Sequence, residues 1–171
     1  TSKELPLGKY TVIESFVPNP YILDATPIQV ELKYKDQVTP VVTNSVTHKN
    51  KVAVGKIEVT KKNTNGEFVA NTKFDIYNTN KELVQTLTTD SNGYAVSREL
   101  PLGKYNVKEV SVPSNLVLDD TPVNVELNYK DQLTPVIFGG ITATNKFQRT
   151  NITLTKVENT WDEIFTENHG L

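Results

Sequence analysis

The 171 residues carry 18 basic and 20 acidic side chains for a formal net charge of −2, with two histidines and no cysteine or methionine. No basic stripe is present to hold nucleic acid or an anionic membrane, disulfides and thiolate chemistry are excluded, and two isolated histidines do not make a zinc site, so no metal or cofactor is expected. No apolar run is long enough to insert in a membrane, and the opening Thr1-Ser2-Lys3-Glu4 has none of the regions of a signal peptide, so signal and anchoring segments are expected outside this chain.

Residues 2–64 align without gaps on residues 97–159 at an offset of 95, with about half the positions identical. Thus Lys3-Glu4-Leu5-Pro6-Leu7-Gly8-Lys9-Tyr10 returns as Arg98-Glu99-Leu100-Pro101-Leu102-Gly103-Lys104-Tyr105. Such a period sets a unit the size of a small β-sandwich. It predicts the later part of one repeat over 1–54, a complete repeat over 55–147 and the opening of another over 148–171. Repeated units without varied loops suit a spacer or stalk better than an enzyme.

In chain order, period-two alternation predicts a strand over Lys56–Lys62, a turn at Asn63–Gly66, and strands over Thr72–Tyr77 and Glu82–Thr88. A turn at Asp90–Gly93 follows, then Tyr94–Glu99, a tight turn at Leu100–Gly103, and Lys104–Ser111. A loop at Pro113–Asn115 leads to Thr121–Asn128 and a last strand over Ile141–Phe147. No helical period is sustained, so the expected class is all-β: a sandwich of short strands repeated in tandem.

Three polar residues fall on apolar faces. Ile57 and Val59 share their face with Lys61, Tyr105 and Val107 share theirs with Glu109, and Ile141 and Ala143 share theirs with Asn145. Each alone reads as a strand end running into solvent, and a buried, satisfied ion pair with a bonded amide is a second bland reading. Their recurrence argues for use. The earlier copy holds Glu14 and Asn50 at the matching positions, and the later one holds Lys156. A buried Lys–Glu pair without further bonding is costly, which suggests that the set has a specific role.

Three segments together resemble the collagen-adhesin B-type (Cna B-type) repeat of Gram-positive surface proteins and pilins. They are Ile57-Glu58-Val59-Thr60-Lys61-Lys62 with Gly66–Phe74 following, Leu100-Pro101-Leu102-Gly103-Lys104-Tyr105-Asn106-Val107-Lys108-Glu109, and Ile141-Thr142-Ala143-Thr144-Asn145. One departure is Asn71-Thr72, where the family has a small Gly-Ala pair. The resemblance implies a prealbumin-like, Ig-like β-sandwich at the cell surface or cell wall. It also implies a spontaneous isopeptide bond between Lys61 and Asn145, assisted by Glu109. Burial favours the unprotonated amine that such a reaction needs, and a neutral carboxyl beside the amide could hydrogen-bond the Asn145 carbonyl and relay protons. The reaction turns over once, so the domain is not expected to be an enzyme.

The leading functional reading is a self-crosslinked stalk or pilin repeat of an adhesin. Its partners are neighbouring repeats, with host matrix ligands bound through other regions. The alternative is a module that itself binds a host matrix protein or glycan. Head-to-tail self-association, with Lys156 of one copy entering the Glu14–Asn50 site of another, stands as a further reading. Leu100-Pro101-Leu102-Gly103 lacks the threonine of a sorting motif and reads as a turn. Asp90, Asp119 and Asp120 read as turn residues, His48 as local packing, and Trp161 and Phe165 as core residues of an incomplete unit.

Overall fold

The computed structural model describes residues 1–156. Every element among them is a strand. The central unit contains β5 (Val54–Asn63), β6 (Lys73–Tyr77), β7 (Leu83–Thr88), β8 (Tyr94–Val96), β9 (Leu100–Pro101), β10 (Gly103–Ser111), β11 (Val123–Leu127) and β12 (Val136–Asn145). One sheet runs β11-β10-β6-β7, the other β12-β5-β8 with β9 joining the start of β5. Alternation gives each sheet one apolar face, and the two faces meet. Ile57 and Val59 of β5, with Ala95 and Leu100 on the same sheet, pack against Phe74, Ile76, Leu87, Tyr105, Val107, Val125 and Leu127.

The first and last strands of the unit are parallel neighbours, paired from Val136 opposite Val54 to Asn145 opposite Asn63. That pairing explains why the last strand begins five residues before the expected Ile141. The whole of β5 is available as a template, and Gly139-Gly140 interrupts the alternation that would have revealed it. The glycine is required: a Cβ on Gly139 would stand 2.7 Å from Val125 Cγ1. At the other end Phe147 makes only an isolated bridge with Leu116.

Two local features also depart from the sequence reading. Leu100-Pro101, expected as a turn, pairs with Gly55 and Val54 and buries Leu100 completely. Proline can sit there because β9 is short and its missing N–H interrupts no longer ladder. The Tyr105 hydroxyl donates to the Pro101 carbonyl at 2.8 Å, tying the turn to β10. Asn71 adopts the left-handed conformation that the usual glycine would supply, with φ of 59°. Thr72 is fully buried, and its N–H donates to Thr89 Oγ1 at 3.1 Å.

The preceding segment contains β1 (Gly8–Val12), β2 (Tyr21–Ile22), β3 (Ile28–Leu32) and β4 (Lys51–Val52). β1 pairs with β3 from Gly8 opposite Leu32 to Val12 opposite Ile28, and β10 pairs with β11 from Gly103 opposite Leu127 to Val107 opposite Val123. Each partner is displaced by 95 residues, so the two hairpins share one register. Residues 41–50, which correspond to β12, form no strand. The same holds for 149–156, which correspond to the start of β5, and Ile152 and Leu154 there are 95% and 91% exposed. In the central unit these two strands form by pairing with each other, and in the flanking segments neither has its counterpart beside it. Trp161 and Phe165 lie outside the described residues.

Candidate functional site

β5 turns Ile57, Val59 and Lys61 inward, each with no exposed surface. The Lys61 position is held by backbone on both sides, since its N–H donates to Gly93 O at 2.7 Å and its carbonyl accepts from Val69 N at 3.0 Å. Gly93 has φ of 64°, and a Cβ there would collide with the Lys61 carbonyl and the Val69 nitrogen. Inside the core, Lys61 Nζ donates to Lys62 O at 2.7 Å and Ala143 O at 3.3 Å. Ala143 is the backbone partner of Lys61 on β12 and shares its inward face with Asn145, two positions on. The amine is therefore fixed beside the strand that carries the amide.

Glu109 on β10 stands opposite Phe74 of β6 in the facing sheet and is 4% exposed. The register shifts between Glu109 and Ser111, so β10 leaves its regular pairing just beyond the carboxyl. Asn145, at the end of β12, is 2% exposed. Its Nδ2 donates to Glu109 Oε1 and to Val117 O, both at 2.7 Å. Glu109 Oε1 also accepts from Asp119 N at 3.1 Å. Asn145 Oδ1 is buried without a hydrogen-bond partner. The carboxyl thus meets the nitrogen of the amide, whereas the sequence reading put it on the carbonyl.

Burial holds the Lys61 amine below the ordinary lysine range, and the negative charges of Glu109 and Asp119 oppose that shift only in part. Desolvation prevails because the amine lies inside the sandwich while Asp119 is on its surface, screened by water. A shallow cavity lined by Val117, Asp119, Thr144 and Asn145 opens beside the amide.

The sequence reading did not assign a part to Val117 and Asp119. Both reach the site through their main chains, which side-chain patterns do not register. The repeat did carry a signal, because Asp24 follows Glu14 at the spacing at which Asp119 follows Glu109. In the earlier copy the same bonds are present. Asn50 Nδ2 donates to Glu14 Oε2 at 2.5 Å and Ile22 O at 3.1 Å, and Asp24 N donates to Glu14 Oε2 at 3.3 Å. Lys156 is exposed and outside any strand. Lys61, Glu109 and Asn145 are brought together, as are Glu14 and Asn50, and Lys156 stands apart. Among the described residues no group of three or more His, Cys, Asp or Glu side chains could hold a metal ion.

The central unit is thus a two-sheet β-sandwich with its first and last strands in parallel contact, enclosing a lysine, a glutamate and an asparagine. Residues 55–138 match the family described as SpaA, a prealbumin-like fold domain, and the two-sheet fold of this central unit agrees with that description. A 56-residue stretch is 34% identical to the trypsin-resistant surface T6 protein of Streptococcus pyogenes serotype M6, covering 33% of this chain and 10% of that protein. The structure of the Bacillus anthracis TIE protein superposes with a TM-score of 0.62 at 29% identity, over 84% of this chain and 26% of the other. GBS52, a minor pilin of Streptococcus agalactiae, shares the fold with a TM-score of 0.51 at 17% identity, over 91% of this chain and 66% of its own. The chain spans a small part of the T6 and TIE proteins.

Proposed function

We propose that this chain is a structural segment of a Gram-positive cell-wall protein, a stalk or pilin built of tandem repeats bounded near residues 55 and 147. Its central unit locks itself with an isopeptide bond between Lys61 and Asn145. The observation that carries this reading is the enclosed set of Lys61, Glu109 and Asn145, with the amine on one terminal strand and the amide on the other. The surface T6 relative supports the setting.

In the reaction, the neutral Lys61 Nζ attacks Asn145 Cγ, and the lone pair of the amine becomes the new C–N bond. Charge collects on Oδ1, then returns as the Cγ–Nδ2 bond breaks. One proton leaves Nζ and one reaches Nδ2, so ammonia departs and a secondary amide remains. Glu109 is placed on Nδ2, where its carboxylate can take the proton that leaves Nζ and pass it to Nδ2, making that nitrogen a leaving group. The cavity beside Asn145 gives ammonia a short way out. Folding holds the reactants together, which can be worth an effective molarity on the order of 10⁵ M or more. Each domain reacts once and is altered by it, so it is a substrate of its own chemistry.

The function follows from where the bond lies. It would connect the terminal strands of the unit across 84 positions, so tension applied along the chain would pass through a covalent link instead of the hydrogen bonds between strands. With no cysteine in the chain, no disulfide can do this. A tryptic digest tests the proposal: a branched peptide joining the Lys61 and Asn145 strands supports it, and recovery of both strands as separate linear peptides refutes it.

A further inference from the structure

The junction between the preceding segment and the central unit has almost no linker. β4 ends at Val52, β5 begins at Val54, and the single residue between them, Ala53, is fully buried. Ala53 N donates to Pro20 O at 2.8 Å on one side of the junction, and Val54 N donates to Pro135 O at 3.0 Å on the other. Across the junction the Tyr129–Pro135 loop of the central unit reaches back. Gln132 Oε1 accepts from Val17 N at 3.3 Å, and Gln132 O accepts from Leu23 N at 2.9 Å. Val17 is buried to 4% exposure.

Both halves of this contact occur again, each without its counterpart among the described residues. The loop Tyr34-Lys35-Asp36-Gln37-Val38-Thr39-Pro40 repeats Tyr129–Pro135 with one change, Val38 for Leu133. It is folded alike: Asp36 Oδ1 accepts from Val38 N at 2.9 Å, as Asp131 Oδ1 does from Leu133 N at 2.9 Å. Gln37 at its tip is exposed. At the opposite end, Val112–Leu118 repeats the Val17–Leu23 segment. Leu116 N donates to Pro113 O and Gln148 N to Asn115 O, matching Tyr21 N to Pro18 O and Ala53 N to Pro20 O. Leu118, the counterpart of half-buried Leu23, is 45% exposed.

We propose that the Asp-Gln-x-Thr-Pro loop is a clasp between repeats, and that Gln132 is a positioning residue that fixes the rotation of one unit on the next. The partner that fits Gln37 is a Val112–Leu118 segment of another repeat of this kind. Because the contact is heterologous, with a loop at one end and a receiving segment at the other, it propagates along an array without closing. A flexible linker would let successive domains swing. Here the one-residue link sets the distance, and the glutamine, by holding two main-chain donors at once, sets the angle. A stalk assembled so would be stiff at its junctions as well as within its domains. This reading stands apart from the crosslink, since no residue of the Tyr129–Pro135 loop that carries Gln132 is hydrogen-bonded to Lys61, Glu109 or Asn145.

The test uses the whole chain in solution. Gln132→Ala removes the side-chain acceptor, and Gln132→Glu keeps an oxygen in its place. Residual dipolar couplings report the orientation of β1 and β3 relative to β10 and β11, and amide exchange reports Val17. The clasp predicts a single alignment frame for both hairpins in the wild type and separate frames in Gln132→Ala. It also predicts Val17 exchange faster by roughly tenfold in that variant, with both effects reversed in Gln132→Glu. The mass and melting of the central unit should be unchanged, which separates this result from any failure of the crosslink. A single frame retained in Gln132→Ala, or a glutamate variant as loose as the alanine one, would overturn the clasp.

Discussion

A double-mutant cycle on Lys61 and Asn145 separates a covalent bond from a buried polar contact. Closing a loop of 84 residues restricts the unfolded chain by about 4.5 kcal/mol when treated as a disulfide of the same span. Asn145→Ala forfeits that term and at most one hydrogen bond of about 1 kcal/mol, because the Nδ2 that donates to Glu109 and Val117 leaves as ammonia when the bond forms and the secondary amide keeps a single N–H. Lys61→Ala forfeits the same covalent term and relieves the enclosure of an amine. The bond can be lost only once. The double variant should therefore cost about 4.5 kcal/mol less than the sum of the single ones, a coupling well beyond the 0.5–3 kcal/mol of ordinary neighbours, about. Each single variant should melt roughly 20 °C or more below the parent for a domain of this size. Guanidinium titrations of all four proteins supply the cycle. Additivity to within about 1 kcal/mol would mean that nothing beyond noncovalent contact joins the two side chains.

Glu109→Ala should fold yet crosslink about 10²- to 10⁴-fold more slowly, followed by mass after refolding from denaturant; an unchanged rate would remove Glu109 from the mechanism. In Asn145→Ala the enclosed Lys61 cannot react, and its lowered pKa means that the unfolded chain binds more protons than the folded one between that value and the ordinary lysine value. Stability should then rise with pH through this window, with the full penalty below it and none above, and the slope should vanish when Lys61→Ala is added. Denaturation midpoints that fall with pH there would contradict the assigned cause. Gly93→Ala should destabilise by about 2 kcal/mol or more, because a left-handed alanine also strikes the backbone that holds Lys61. Gly66→Ala, with φ of 84° and nothing within 4 Å of the added Cβ, should lose only about 1 kcal/mol of conformational preference.

The inward faces of the strands were legible because each site residue continues an alternation begun by two apolar neighbours. Ile57 and Val59 point to Lys61, and Tyr105 and Val107 to Glu109. What alternation could not show was pairing. β12 and β5 are parallel partners from distant parts of the sequence, and Gly139-Gly140 hides the first half of β12. The Leu100-Pro101 pairing was read as a turn, since proline and glycine carry turn chemistry whether or not a neighbouring strand accepts the backbone. Main-chain contributions to the site were also out of reach: Val117 O and Asp119 N act without regard to side chain. Asn71 shows the converse, a residue able to take the left-handed conformation where the family pattern has glycine.

The intact mass of the purified chain under denaturing conditions tests the central claim most directly. Loss of one ammonia from the sequence mass, abolished separately by Lys61→Ala and Asn145→Ala, is the result expected. Glu14 and Asn50, with Lys156 outside any strand, should add no second loss and no ladder of covalent multimers. A chain at its full sequence mass would contradict the account and leave Lys61, Glu109 and Asn145 as a buried polar cluster without a bond.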